Sequence, residues 1–320
     1  MLRVLKLGAG AFDLAPEPLG DWPIPSDAVW LDMLSPSLEE EHAVEAFVGV
    51  PLPTREEMVE IENSSRLYQA GGATVMTASV LFGVDEEIPS LEPITFVVAG
   101  ERLVTIRYVD PKPFRAFAAQ IGRQPALFAS GPVAFVNLLE AVIDRVADIL
   151  EQTGAEVDAV SRKVFSGDQP RAFEPLLTRL GRAQNVNLKA RESLVGLARI
   201  VSYCALAEPL ERTPEARELL ASQERDIRSL TDHSSYIAAN VAFLLDAALG
   251  FISLQQNQII KVFSLFTVCL MPPTLIGAIY GMNFDHMPEL RVVWAYPAVL
   301  LAMLLAGVTP LFWFRRKGWL

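Results

Sequence analysis

The stretch VFSLFTVCLMPPTLIGAIYGMNF, residues 262–284, runs for 23 residues without a charged side chain. A second uncharged run, VVWAYPAVLLAMLLAGVTPLFWF, covers residues 292–314. As helices rising about 1.5 Å per residue, each reaches about 35 Å, enough to cross a hydrocarbon core of roughly 30 Å. Core helices of soluble proteins rarely stay uncharged over that length. Trp294, Tyr296, Trp313 and Trp319 stand near the ends of the runs, where aromatic side chains favour the boundary between lipid and water. The two runs read as transmembrane helices.

Between them, Asp285 to Arg291 form a tight loop. Lys261 precedes the first span, and Arg315, Arg316 and Lys317 follow the second, whereas the loop carries only Arg291. Basic flanks stay in the cytoplasm, so the loop faces outward and both termini face inward. The start, MLRVLKLGAGAFDLAPEP, has no uninterrupted apolar segment of the kind a signal peptide needs. Cys204 and Cys269 are far apart, and Cys269 lies inside a span, which excludes a disulfide framework and fits a reducing compartment.

Charge is unevenly shared. Residues 257–320 hold five Lys/Arg against two Asp/Glu, and the remainder holds 22 against 36. An acidic body of this kind attracts cations and is a poor partner for nucleic acid, which needs a basic face.

The first ~125 residues mix strands and helices. Ala28–Leu34 reads as a strand, and SPSLEEEHAVEAFVGV as the helix after it. Two β-rich hairpins follow, one turning at Gly71-Gly72 and the other at Ala99–Glu101, and PKPFRAFAAQIG returns to helix. Beyond Gly131-Pro132 the pattern is helical: 132 to about 165, about 170 to 206, and Pro214 onward, with punctuation at Gly167-Asp168 and Glu208-Pro209. Ile227, Leu230, Ile237, Val241, Leu244, Ala248 and Phe251 make an amphipathic stripe that runs without a break into the first span. One helix from Pro214 to Gly281 would be roughly 100 Å long and would need partner helices, as a tether or as part of an oligomeric funnel.

The expected fold is thus an α+β cytoplasmic domain with a central, mostly antiparallel sheet, then long stalk helices and two C-terminal transmembrane helices. The expected division is 1–130 for the α/β domain and 131–257 for the helical region with the cytoplasmic stalk. Residues 258–284 are the first transmembrane helix, 285–291 the external loop, and 292–320 the second span with its basic tail.

At helical spacing, Asn257, Ile260, Ser264, Thr267, Met271, Thr274, Ala278 and Gly281 share one face of the first span. Small and hydroxylated residues there suit close helix packing or a water-lined path. Phe263, Leu265, Phe266, Val268, Leu270, Leu275, Ile276 and Ile279 make bulkier faces suited to lipid or to the second span. Pro272-Pro273 deprive the Val268 and Cys269 carbonyls of helical donors. That is either an ordinary kink or a source of spare acceptors for a cation path beside Met271 and Thr274.

Gly281-Met282-Asn283, framed by Tyr280 and Phe284 and followed by MPEL at Met287–Leu290, resembles the signature of the CorA family of magnesium transporters. MPPTL at 271–275, AALGFISLQQNQIIKVFS, ERDIRSL and the basic Trp-Leu end look like that family too. The resemblance implies a homopentameric funnel in the cytoplasmic (inner) membrane, with five first spans around a pore and the second spans outside them. Asn283 would form the outer selectivity ring, shaped by Gly281 and Met282, and Asn257, Met271 and Thr274 would line the path further in. Mg²⁺ is then the substrate and also a regulatory ligand, Co²⁺ and Ni²⁺ are further substrates, and no covalent cofactor is expected. Asp226 is the regulatory candidate on the stalk, and Asp85, Glu86 and Glu87 form an acidic group in a loop.

A neutral amide ring suits Mg²⁺, which sheds its waters reluctantly and can pass largely hydrated. Asp285 and Glu289 stand at the mouth, where acids concentrate cations. No GxxxxGK[ST], CxxC or HExxH occurs, and His42, His233 and His286 are scattered. A zinc-transporting relative is the alternative within transport. A membrane-anchored sensor or scaffold and a tethered enzyme are the alternatives outside it.

Overall fold

The computed structural model describes residues 1–6, 10–14, 22–60, 62–84, 89–166, 173–205, 210, 213–283 and 287–318. Two compact units result, Met1–Leu245 and Asp246–Leu320.

The first unit is built on a seven-stranded sheet: β1 (Leu2–Lys6), β2 (Gly10–Leu14), β3 (Ala28–Leu34), β4 (Leu67–Ala70), β5 (Ala73–Phe82), β6 (Ser90–Ala99) and β7 (Arg102–Arg107). The order is β2-β1-β3-β7-β6-β5-β4. Every neighbouring pair is antiparallel except β3–β7, which is parallel, so the mostly antiparallel expectation holds with one parallel joint at the centre. Both hairpins turn where the glycines stand. Gly71 and Gly72 have φ of 55° and 82°, which residues with a Cβ rarely adopt. Strands β1 and β2 lie in a stretch that the sequence reading left without an element. They form a short edge hairpin whose alternation is brief.

Side chains alternate across the sheet. One face buries Leu2, Val4, Leu31, Met33, Val97, Val104 and Ile106 with Val44 of α1 (Leu38–Val48) and Met58 of α2 (Arg55–Val59). Helix α1 starts where Ser37 and Glu40 complete a reciprocal capping box. The short α3 (Asn63–Arg66) leads into β4. On the other face Trp30 and Phe96 meet Phe114 and Phe117 of α4 (Lys112–Ala118) and Phe135 of α5 (Gly131–Phe165), at centroid distances of 5.5–6.4 Å.

Also within that second face is an ion pair that apolar patterning does not announce. Arg107 and Asp32 are only 1% and 2% exposed and bond twice, Nε to Oδ1 at 2.8 Å and Nη2 to Oδ2 at 2.7 Å. Thr105 Oγ1 donates to Asp32 Oδ1 and accepts from Trp30 Nε1. Arg107 Nη1 donates to the Val109 carbonyl and to Asp110.

Helices α5 and α6 (Glu174–Cys204) belong to this same unit, so the division expected near residue 130 falls inside it. Helix α7 spans Pro214–Tyr280 as one element, and the boundary between the units falls within it. In the second unit α7 is followed by a 3-10 turn (Pro288–Arg291) and α8 (Ala295–Arg316). Helices α7 and α8 are both long and apolar enough to cross a membrane. Gly167-Asp168, Glu208-Pro209, the Asp85–Glu87 group, Phe284, Asp285, His286 and Trp319 lie outside the described residues.

Candidate functional site

In the second unit the faces of α7 separate cleanly. Leu265, Cys269, Pro272, Pro273, Ile276, Gly277 and Tyr280 are half-buried. Two of the neighbours of this face are on α8: a Cβ on Gly277 would lie 3.3 Å from Met303 Cε, and one on Gly307 would lie 3.2 Å from the Pro273 ring. The stripe from Asn257 to Gly281 is exposed along its whole length, with Met271 64% exposed. The second span therefore packs on the proline face and leaves the stripe and the Phe263–Phe266–Leu270 side uncovered.

This packing decides where one of the kink's spare acceptors goes. With prolines at 272 and 273, the Cys269 carbonyl has no amide hydrogen three or four residues on. The same Cβ on Gly307 would stand 3.3 Å from that oxygen, so the Cys269 carbonyl faces α8 rather than the stripe beside Met271 and Thr274. On the stripe itself the hydroxyl side chains supply polarity. Thr267 and Thr274 donate their hydroxyl hydrogens to Phe263 and Leu270 carbonyls at 3.0 and 2.7 Å. Their donors are thus used inside the helix, and lone pairs are what they can offer outward. Such surfaces accept hydrogen bonds from the water shell of a cation.

The helix unwinds at the expected tripeptide. Gly281 N–H still bonds Gly277 O at 2.9 Å, Met282 N–H shortens its reach to Ile279 O at 3.2 Å, and Asn283 is outside the helix and exposed. Glu289 is exposed on the 3-10 turn. An apolar groove of about 550 Å³ lies beside this end, lined by residues that include Tyr280, Gly281, Val293 and Tyr296.

Asp226 lies on α7 within the first unit and is exposed. Sequence reasoning found no partner for it. The structure brings Glu140 and Asp144 of α5 near it, and Asp148 adjoins Asp144. Partial burial raises the Glu140 carboxyl above its usual range, and Asp144 and Asp226 raise it further. Asp144 is raised by partial burial, then by Asp148 and Asp226. The sequence did hold a signal, acids four residues apart at 140, 144 and 148, but only packing aligned them with Asp226. Among the described residues no group of three His, Cys, Asp or Glu converges closely enough to hold a metal ion.

A raised carboxyl keeps its proton longer in the folded state than in the unfolded one. Stability therefore falls as pH rises from the ordinary carboxylate range through the raised values, and the penalty stays above them. Glu140→Gln or Asp144→Asn is expected to raise the thermal midpoint at pH 7.5 by roughly 1–2 °C, and salt should shrink the gain. The gain should vanish toward pH 4. A gain that persists there would mean that charge repulsion is not its source.

An acidic α+β body and two helices of membrane-crossing length, with an exposed polar stripe ending in Gly-Met-Asn, fit the class of membrane cation transporter that the Gly-Met-Asn resemblance implies. Residues 25–316 match the family model described as CorA-like Mg2+ transporter protein. The chain is 34% identical over 297 residues to magnesium transport protein CorA of Pasteurella multocida, covering 92% of this chain and 93% of that one. It is 32% identical over 296 residues to the protein of the same name from Escherichia coli strain K12, covering 92% of each. The complete structure of the CorA magnesium transporter from Methanocaldococcus jannaschii superposes with a TM-score of 0.76 at 18% identity, over 100% of this chain and 99% of that one. The chain belongs to the CorA family of magnesium transporters. The zinc alternative is not favoured by these relatives.

Proposed function

We propose that five copies of this chain enclose a channel-like path that imports Mg²⁺ down the membrane potential, with both termini in the cytoplasm of a cell whose inner membrane holds it. The exposed stripe on α7 carries this reading: one polar face left uncovered by α8 cannot shield an ion alone, but copies around an axis can. Asn283 forms the outer ring on the turn made by Gly281 and Met282. Thr274 and Asn257 supply acceptors further in, and Met271 supplies an apolar constriction that dewets the closed path. Asp285 and Glu289 draw cations to the mouth. A divalent ion gains roughly 4.6 kcal/mol in crossing 100 mV, so no ATP site is needed.

Co²⁺ and Ni²⁺ are secondary substrates in this reading. Cytoplasmic Mg²⁺ is also the regulator. It relieves repulsion among acids such as Asp226, Glu140 and Asp144 and, with carboxylates of neighbouring copies, favours the closed state. One experiment tests the whole reading: purified protein in liposomes under an inside-negative potential, with Mg²⁺, Co²⁺, Ni²⁺ or Zn²⁺ supplied outside. Mg²⁺ influx that slows as internal Mg²⁺ is raised is the expected result, from particles with the mass of five chains. Absence of influx, or a monomer or dimer in detergent, would overturn it.

A further inference from the structure

The groove of about 550 Å³ beside the Gly-Met-Asn turn lies wholly inside the second unit, between the last turn of α7 and the first turns of α8. Its shape follows from the residues on either side. Gly277 and Gly281 stand one turn apart on α7 and offer no side chain to fill the space. Tyr296, Val299 and Met303 supply the α8 wall at helical spacing. Among the described residues that line the groove none is charged, and the phenols of Tyr280 and Tyr296 are its only side-chain hydroxyls.

Chemistry and size choose the occupant. Water needs several polar partners to stay in a site, and an apolar wall supplies few. An empty groove forfeits van der Waals contacts along its length. A helix of a second copy fits poorly, since one turn about 10 Å across and about 5.4 Å long takes up roughly 420 Å³. A single hydrocarbon chain is slender enough, and hydrocarbon is what surrounds helices of this length and composition. The rim supplies the charges that a headgroup needs. The Pro288–Arg291 turn leads directly into Val292, which lines the groove. Glu289 and Arg291 are both exposed on that turn, and Arg291 is the only Lys or Arg between the two spans. An acid and a base on one turn match a headgroup that carries an ammonium and a phosphate. Trp294 and Tyr296, both exposed, suit the boundary where headgroups meet chains.

We propose that this groove holds one acyl chain of a zwitterionic phospholipid, with the phosphate at Arg291 and the ammonium at Glu289. The chain lies against Tyr280 and Gly281 and so backs the turn from which Met282 and Asn283 leave the helix. The proposal rests on the membrane placement of α7 and α8 and not on which ion the protein carries.

The test places full-length protein in vesicles of phosphatidylethanolamine and phosphatidylglycerol in equal amounts, checks that it floats with them, and extracts it in mild detergent. Mass spectrometry then counts the phospholipid that survives washing. The wild type is expected to keep about one phosphatidylethanolamine per chain. Val299→Phe, which fills the groove, should lower that retention at least about fivefold, and Arg291→Gln roughly two- to threefold. Leu304→Phe adds similar bulk to an exposed α8 residue outside the groove and should leave retention unchanged. If Val299→Phe does not insert, Ala295→Leu narrows the same groove and takes its place. Equal losses in the groove variant and in Leu304→Phe would overturn the proposal. So would phosphatidylglycerol held as well as phosphatidylethanolamine, or a wild type stripped at the first wash with detergent or a second copy in the groove. Protein that does not float with the vesicles would reject the membrane placement itself, whereas protein that floats and keeps no lipid rejects this proposal alone.

Discussion

Asn283→Ala is expected to cut Mg²⁺ influx into liposomes by at least roughly tenfold while the protein still assembles, since about 1.4 kcal/mol of lost interaction at one point of the path is already a factor of ten. Asn283 is exposed just beyond the last turn of α7, where no packing holds it in place for the sake of the fold. In the proposed path its amide oxygen accepts from the waters of a passing ion without the charge that would trap Mg²⁺. Alanine removes that oxygen from every copy of the proposed assembly and adds neither charge nor bulk. The measurement is dye-reported Mg²⁺ influx beside the mass of the detergent-solubilised particle. Wild-type flux from a correctly assembled variant would reduce the tripeptide to a structural turn.

Arg107→Met should lower the thermal midpoint by roughly 10 °C, because breaking a buried pair costs about 3–5 kcal/mol and each kcal/mol is worth about 2–4 °C in a unit of this size. The loss comes mainly from Asp32, left 2% exposed with Thr105 as its remaining side-chain donor. Methionine also forfeits the bonds to Val109 and Asp110. The pair with Asp32→Leu removes both charges together and should recover most of the midpoint. Differential scanning fluorimetry of the single and double variants decides it. A double variant no better than Arg107→Met would show that packing around Arg107, rather than the orphaned carboxylate, sets the cost.

Some features were legible in the chain because one local rule suffices for them. Uncharged length marked the two spans, the Gly71-Gly72 pair and Gly100 marked the two hairpin turns, and three-and-four spacing placed Asn257, Met271, Thr274 and Gly281 on one face. Other features were hidden because they join residues distant in sequence. Asp32 and Arg107 are 75 residues apart and read singly as surface charges. Glu140 and Asp144 meet Asp226 only when α5 lies against α7. The hairpin of β1 and β2 is short, and its pattern was too brief to register as strand.

The sequence by itself determined that this chain has two membrane-length helices, an acidic α+β body and a Gly-Met-Asn turn beside a polar stripe. Composition, period and motif are properties of neighbouring residues, and neighbours are what a sequence orders. Only the tertiary structure decided which face of α7 meets α8. Gly307 lets α8 approach the proline kink and takes up the Cys269 carbonyl side, so the hydroxyl stripe is the face left open. That choice depends on the shapes of two helix surfaces fitted together, and periodicity, which marks every face alike, carries no record of it.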